Sequence, residues 1–133
     1  MMTDHDAIRN TLALYCQFCD DGRFEDWAQL YAADATFHVM GNVHRGREEI
    51  KAFIRAGQPP QLRGKHVAVN SVIEVHGQKA TALTDYVFVG RDGDGLVITN
   101  AGRYHDRLVK DGQRWLFSER KIVFLGDEPQ GDA

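Results

Sequence analysis

Apolar positions along this chain keep one period up to Gly64 and another after it. In the first half, Ile8, Leu12, Tyr15, Cys16 and Cys19 recur at helical spacing, behind a Thr3-x-x-Asp6 start signal and before a stop at Gly22. Phe24 to Tyr31 reads as a short second helix with Trp27, Leu30 and Tyr31 on one side. Ala35 to Met40 reads as a strand. Gly46 to Ala56 reads as a third helix with Ile50, Phe53 and Ile54 turned inward, ended by Pro59-Pro60. Beyond Gly64 four long strands are predicted: Lys65–Val75, Lys79–Gly90, Leu96–Lys110 and Arg114–Leu125. His76-Gly77-Gln78, Asp92-Gly93-Asp94-Gly95 and Asp111-Gly112 supply the hairpin turns between them. Helices first and a meander of strands afterwards means α+β. Strands this long bend, so the expected shape is a curled sheet closing over the helices.

Composition narrows the class without changing that picture. The 133 residues, 43% apolar and 26% charged, fit one soluble globular domain spanning 1–133, with an acidic tail over 126–133 expected to be loose. A net charge of −3 argues against a nucleic-acid partner, which selects a basic stripe. No apolar run approaches the roughly 20 residues of a bilayer span. The start, Met1-Met2-Thr3-Asp4-His5-Asp6, lacks the basic and apolar regions of a secretory signal, so a cytoplasmic setting is expected. Both cysteines fall in the first helix, where a reduced state is the expectation.

Few residues can carry chemistry. At about 100° per residue the apolar stripe of the first helix is about 100° wide; Asp20 lies at its edge and Asp21 points away. A carboxylate at the rim of a core needs a partner, because an unpaired buried charge is costly. His66 is the candidate partner, at the start of an otherwise apolar strand. His5, His38, His44, His76 and His105 have charged, glycine-rich or turn-like neighbours and read as mostly solvated. Cys16-x-x-Cys19 has no second ligand pair and reads as core packing, so no metal site is expected. A glycine-rich phosphate loop and a Gly-x-Ser-x-Gly elbow are both missing from the sequence, which removes support for nucleotide binding and serine hydrolysis. On the Leu96–Lys110 strand, alternation groups Arg103, His105 and Arg107 on one face and Tyr104, Asp106 and Leu108 on the other, and leaves open which is inside.

Taken together, Ile8…Tyr15…Asp20-Asp21-Gly22-Arg23-Phe24…Leu30-Tyr31…Asp34-Ala35, Gly46, His66…Asn70, Gly102-Arg103-Tyr104-His105-Asp106 and Asp111-Gly112-Gln113-Arg114-Trp115-Leu116-Phe117 resemble the SnoaL-like branch of the nuclear transport factor 2-like superfamily. The resemblance spans about residues 5 to 124. It implies a cone: a curved, mostly antiparallel sheet with three N-terminal helices enclosing a pocket. Within the superfamily the chain is most similar to scytalone dehydratase, bile acid 7α-dehydratase and hexachlorocyclohexane dehydrochlorinase. In that group an aspartate late in the first helix orients a histidine on the first long strand, and Asp20 and His66 take those places. The bile acid enzyme has a tyrosine five residues before its aspartate, matched by Tyr15. The chain departs from scytalone dehydratase at Cys19, where that family has a tyrosine, and lacks a clear match for its second histidine. It also lacks the dehydrochlorinase's lysine at the Tyr15 position.

The resemblance implies a cofactor-independent lyase or isomerase acting on a hydrophobic cyclic small molecule such as a steroid, polyketide or aromatic intermediate. In it His66 is the general base, Asp20 orients it, and Tyr15 polarises a carbonyl or protonates a leaving hydroxyl. Phe37, Tyr86 and Phe88 are expected as apolar walls and Arg103 as the contact for an anionic or carbonyl group. A non-catalytic ligand-binding protein, or a small subunit like those of ring-hydroxylating dioxygenases, is the alternative. Apolar patches on the outer face of a large curved sheet also lead to the expectation of a homodimer, through Phe88, Val97 and Ile122–Leu125.

Overall fold

In a computed structural model, residues 2–128 are described; the expectation of a loose tail falls mainly on 129–133, outside them. Helix α1 (Asp4–Asp20) starts where the Thr3 side chain accepts the Asp6 N–H, and it buries Ile8, Leu12, Tyr15, Cys16 and Cys19. Its first turn is pinned to the far hairpin: Asp4 accepts from the Trp115 indole N–H at 3.1 Å and pairs with Lys110 at 2.9 Å. A short α2 (Phe24–Ala28) leads into β1 (Tyr31–Val39) and β2 (Asn42–Arg45), followed by α3 (Arg47–Gly57) and a single 3₁₀ turn at Pro60–Leu62. The second helix is shorter than the sequence suggests, because Tyr31 already pairs with Phe117 in the sheet. β2 was not predicted: four residues with alternating polarity across a Gly41 turn carry little signal.

The second half forms β3 (Lys65–His76), β4 (Lys79–Asp92), β5 (Gly95–Asp111) and β6 (Arg114–Phe124), within two residues of the predicted bounds. The six strands form one open sheet in the order β2-β1-β6-β5-β4-β3. All neighbours are antiparallel except β1 and β6, which run parallel. α1 packs on both β3, an edge strand, and β6, three positions away in the sheet. One helix reaches both only if the sheet curls about it, since three strand spacings span about 14 Å and a helix with its side chains is about 10–12 Å across.

Cross-strand partners share a face, so the register decides which residues are inside. Tyr104, Asp106 and Leu108 are buried, and Arg103, His105 and Arg107 are exposed on the outer face. The core is aromatic: Tyr15, Trp27, Tyr31, Phe37, Tyr86, Tyr104, Trp115 and Phe117 are all at most 4% exposed. No described helix is long and apolar enough to cross a membrane.

Candidate active site

Three backbone decisions bring Asp20 and His66 together. α1 ends at Asp20, and Gly22 turns the chain with φ +72°, a conformation that costs glycine little. A Cβ at Gly22 would sit 2.5 Å from the Arg63 guanidinium, so glycine also lets Arg63 lie against the helix end. At Gly64, a Cβ would meet the Val89 carbonyl oxygen at 2.1 Å; the bare backbone lets the start of β3 close onto β4. β3 then presents His66 directly to the end of α1.

The contact is triple. His66 Nδ1 stands 2.6 Å from Asp20 Oδ1, and the His66 backbone N–H donates to Oδ2 at 3.0 Å and Oδ1 at 3.2 Å. The side chains are 11% and 4% exposed respectively. An ionised carboxylate only accepts, so the close Nδ1 carries the proton and Nε2 of the neutral ring is left with a free lone pair. Nε2 has no protein partner among the described residues. The last turn of α1 contains no basic residue, so Asp20 places a negative charge at the end of the helix where the dipole disfavours it. The three contacts from the two His66 donors offset that cost. Asp21 is exposed, as the helical phase predicted.

The other expected residues divide. Phe88 lies beside His66, with ring centroids 4.6 Å apart, and Tyr15 meets His66 edge-on at 6.3 Å. Tyr86 stacks flat on Tyr104 at 4.3 Å, which in turn contacts Tyr15. Phe37 is buried on the far side of the core against Trp27, Tyr31 and Phe53. Arg103 is not brought to the pair. It points off the outer face and binds Asp85 at 2.7 Å, because β5 turns its Tyr104/Asp106/Leu108 side inward. Tyr15 is not presented to an open space either. It is 2% exposed and enclosed by Trp27, Tyr104 and Phe117, and burial pushes its phenol well above the usual range. Where an enclosed apolar pocket was expected, side chains fill the space around Tyr15. Clefts of about 480 and 530 Å³ open elsewhere, one between the start of α1 and the β5–β6 hairpin and one on the outer sheet face.

What fills that space includes an ion pair the sequence did not reveal. Arg120 Nε and Nη2 each donate to Asp106 carboxylate oxygens at 2.7 Å, with side-chain exposures of 1% and 0%. The guanidinium is sandwiched by Tyr15, Tyr104 and Phe117, 3.8 to 4.3 Å from their ring centroids. Arg120 Nη1, Tyr31 Oη and Trp27 Nε1 are buried without hydrogen-bond partners. Arg120 sits in the polar run Ser118-Glu119-Arg120-Lys121 within β6. A bulge hides its phase: Leu108 pairs with Phe117 but Arg107 with Glu119, so Ser118 is extra and Arg120, not Glu119, joins Phe117 inside.

With this geometry established, comparison with known proteins gives a family. A SnoaL-like domain family model matches residues 1–121. The chain belongs to the SnoaL-like domain family. The fold agrees with that of a nuclear transport factor 2-like protein of cystatin-like fold from Novosphingobium aromaticivorans (TM-score 0.85, 22% identity, covering 94% of this chain and 84% of that one). Two more structures from the same organism are similar. One is the β subunit of a candidate aromatic-ring-hydroxylating dioxygenase (TM-score 0.76, 25% identity, covering 93% and 89%). The other is a candidate scytalone dehydratase (TM-score 0.77, 22% identity, covering 96% and 89%). None of the curated proteins matches this SnoaL-like chain.

Proposed function

We propose that this SnoaL-like protein is a cofactor-independent lyase or isomerase in which His66 removes a proton from a carbon next to a carbonyl or conjugated system of a hydrophobic cyclic substrate. The observation that carries this reading is the 2.6 Å Asp20–His66 contact, with Nε2 free of protein partners among the described residues. The carboxylate fixes the tautomer and stabilises the imidazolium. In the step, the substrate C–H bond breaks toward Nε2 and its electron pair forms a new C=C bond. In an elimination the neighbouring C–O bond breaks and the imidazolium returns its proton to the departing oxygen, giving an alkene and water. In an isomerisation the C=O π pair moves to oxygen as the C=C bond forms, and the carbonyl re-forms when the imidazolium returns the proton to a different carbon. Phe88, 4.6 Å from the imidazole between ring centroids, serves as the apolar wall beside the base, and Tyr86, stacked on Tyr104, lies two residues before it on β4. Tyr15, held edge-on to His66, positions the imidazole; this replaces the direct role on substrate that the family resemblance implies.

The second reading, a non-catalytic ligand-binding or small-subunit role, is favoured by the filled space around Tyr15 and by the likeness to a dioxygenase β subunit. One measurement separates the two. The protein is incubated in D₂O with a panel of cyclic ketones of steroid, decalin and tetralone type, and deuterium entry next to the carbonyl is followed by mass spectrometry. Enzyme-dependent exchange that falls by about 10²–10⁴ in His66→Ala supports the base. Exchange undiminished in His66→Ala, or no exchange with any panel member, would reject it in favour of the second reading.

A further inference from the structure

Each member of the Asp20–His66 pair stands at the end of an element, where core packing gives it little hold. α1 closes in a Schellman turn: the Gly22 N–H donates to the Cys19 carbonyl at 3.1 Å and the Arg23 N–H to the Phe18 carbonyl at 2.8 Å. Asp20 and Asp21 stand in this turn at the negative end of the helix dipole, and the last turn of α1 has no basic residue of its own. On the other side of the pair, the strap 58–64 leads from α3 into β3. None of its residues is buried, and Leu62 within it is 60% exposed. Burial of strap side chains therefore does not fix where β3 begins.

One side chain joins these two ends. The Arg63 guanidinium lies against Gly22, with its Cζ, Nη1 and Nη2 2.5 to 2.8 Å from the place a Cβ would take there. Its Nε–H donates to the Gln58 carbonyl at 3.1 Å, closing the strap on itself, and its Cζ stands 5.4 Å from the centroid of the Phe24 ring. Two other guanidiniums line the same groove, and both are engaged: Arg23 by Asp26 at 2.7 Å and Arg55 by Glu25 at 3.4 Å. Arg63 forms no ion pair among the described residues, so its charge is left to the helix end. That charge reaches the last turn of α1, where burial raises the Cys19 thiol and Arg63 acts in the opposite sense. The chain positions complete the picture. Asp20 lies two residues before the glycine that Arg63 covers, and His66 lies three residues after Arg63.

We infer that Arg63 is a positioning residue of the Asp20–His66 pair: laid over the Gly22 turn, it supplies the cation that α1 lacks at its end and pins the strap, so that carboxylate and imidazole meet although Arg63 bonds to neither. The effect on the pair's geometry stands by itself; the effect on turnover rests on the proton abstraction proposed above.

The test uses the full ¹⁵N-labelled chain under conditions where circular dichroism shows it folded, with the His66 signals assigned by their loss in His66→Ala. In Arg63→Ala the His66 amide, which donates to Asp20, should exchange with solvent about tenfold faster or more. The two His66 ring-nitrogen signals should move toward each other as the tautomer loses its tether. The Phe117 amide, bonded to the Leu30 carbonyl in the core, should keep the parent rate. Gly22→Ala puts a methyl where the guanidinium lies and should produce the same changes at His66; in the Arg63→Ala background it should add little, because the methyl then meets no guanidinium. Arg55→Ala, which removes a paired cation from the same groove, should leave the His66 signals alone. Arg63→Met keeps the aliphatic stem and carries the same measurements if Arg63→Ala does not fold. With a cyclic ketone that the parent deuterates, Arg63→Ala should lower the limiting rate about tenfold and leave the half-saturating concentration unchanged, since Arg63 does not touch substrate. A parent inert toward every ketone would reject the base proposed above, and the amide and ring-nitrogen signals would still decide the role of Arg63. Three results would overturn the inference: His66 signals unchanged in the Arg63 variants, equal acceleration at His66 and Phe117, or a Gly22→Ala effect as large without Arg63 as with it.

Discussion

Two buried carboxylate pairs flank Tyr15 in this protein, and they differ in what is left unfinished. Asp106 and Arg120 are closed on each other: a two-bond fork, at most 1% exposure, and three aromatic rings against the guanidinium, with only Arg120 Nη1 left without a partner. Asp20 and His66 form a pair whose carboxylate is fully used and whose imidazole is not, with 11% of the histidine side chain still open. A guanidinium stays protonated across the accessible pH range and so can only hold position or stabilise charge. An imidazole with one nitrogen tethered and the other free can exchange a proton. The sealed pair fixes the wall against which Tyr15 rests, and Tyr15 in turn rests on His66. One pair is the frame and the other is the moving part.

If that division is right, the largest stability loss comes from breaking the frame. Asp106→Ala should cost about 3–5 kcal/mol, because it strands a buried guanidinium with no carboxylate. Replacing both partners with apolar residues of similar size, Asp106→Leu with Arg120→Met, should cost clearly less. Urea denaturation of the three proteins measures both. Equal losses for the single and double variants would mean the pair is not the frame.

The moving part should respond differently. Asp20→Asn keeps the shape but removes the charge that fixes the tautomer, so the Nδ1 and Nε2 signals in ¹⁵N spectra should shift toward a tautomer mixture. Carbon-acid exchange should fall on the order of 10²-fold or more, with stability reduced by about 1.5–3 kcal/mol for lost hydrogen bonds to a charged group. A variant with unchanged imidazole spectra would show that the backbone contact, not the charge, orients the ring.

A smaller effect separates both pairs from the thiols beside them. Burial pushes Cys16 up to about 11 and Cys19 up to about 12, from 9.0 for an ordinary thiol. A group with its folded pKa raised holds its proton in the native state and releases it on unfolding. The stability this contributes is therefore complete below pH 9 and is lost as pH rises toward 11–12. The buried tyrosines shift in the same direction, so the contribution of the thiols is the part of the slope missing in Cys16→Ala with Cys19→Ala. Urea midpoints at pH 8, 9 and 10 measure it. Alkylation of the native protein at pH 8 should be slow and should follow unfolding.

The legibility of the two pairs in the sequence follows their surroundings. Asp20 was readable because helical periodicity sets its direction against a long apolar stripe, and His66 because it heads an apolar strand. Asp106 was half readable: alternation tied it to Tyr104 and Leu108 without saying which side was inside. Arg120 was not readable, because a one-residue bulge at Ser118 reverses the phase within a charged stretch, and bulges of this kind leave no period behind. Arg103 was drawn toward the site for the complementary reason, since its face of β5 remained undetermined until Asp106 found Arg120. The four long strands were legible from their glycine turns. The parallel β1–β6 pairing that closes the core was not, because it joins segments some eighty residues apart with no local signal.

The smallest prediction is the one most sensitive to the comparison. Asp20 and Asp21 are adjacent carboxylates with the same chemistry, separated only by the 100° step of the helix. One is 4% exposed and triply bonded to His66; the other caps the helix through its backbone N–H, and its side chain is exposed. Asp21→Asn should leave stability within about 0.5 kcal/mol of the parent, as surface substitutions do, and should leave carbon-acid exchange and the His66 spectra unchanged. A negative charge at the C-terminal end of a helix opposes its dipole, so the small residual effect should be stabilising. If Asp21→Asn instead reduced exchange as far as Asp20→Asn, charge near the end of α1, rather than the direct Asp20–His66 contact, would govern the base.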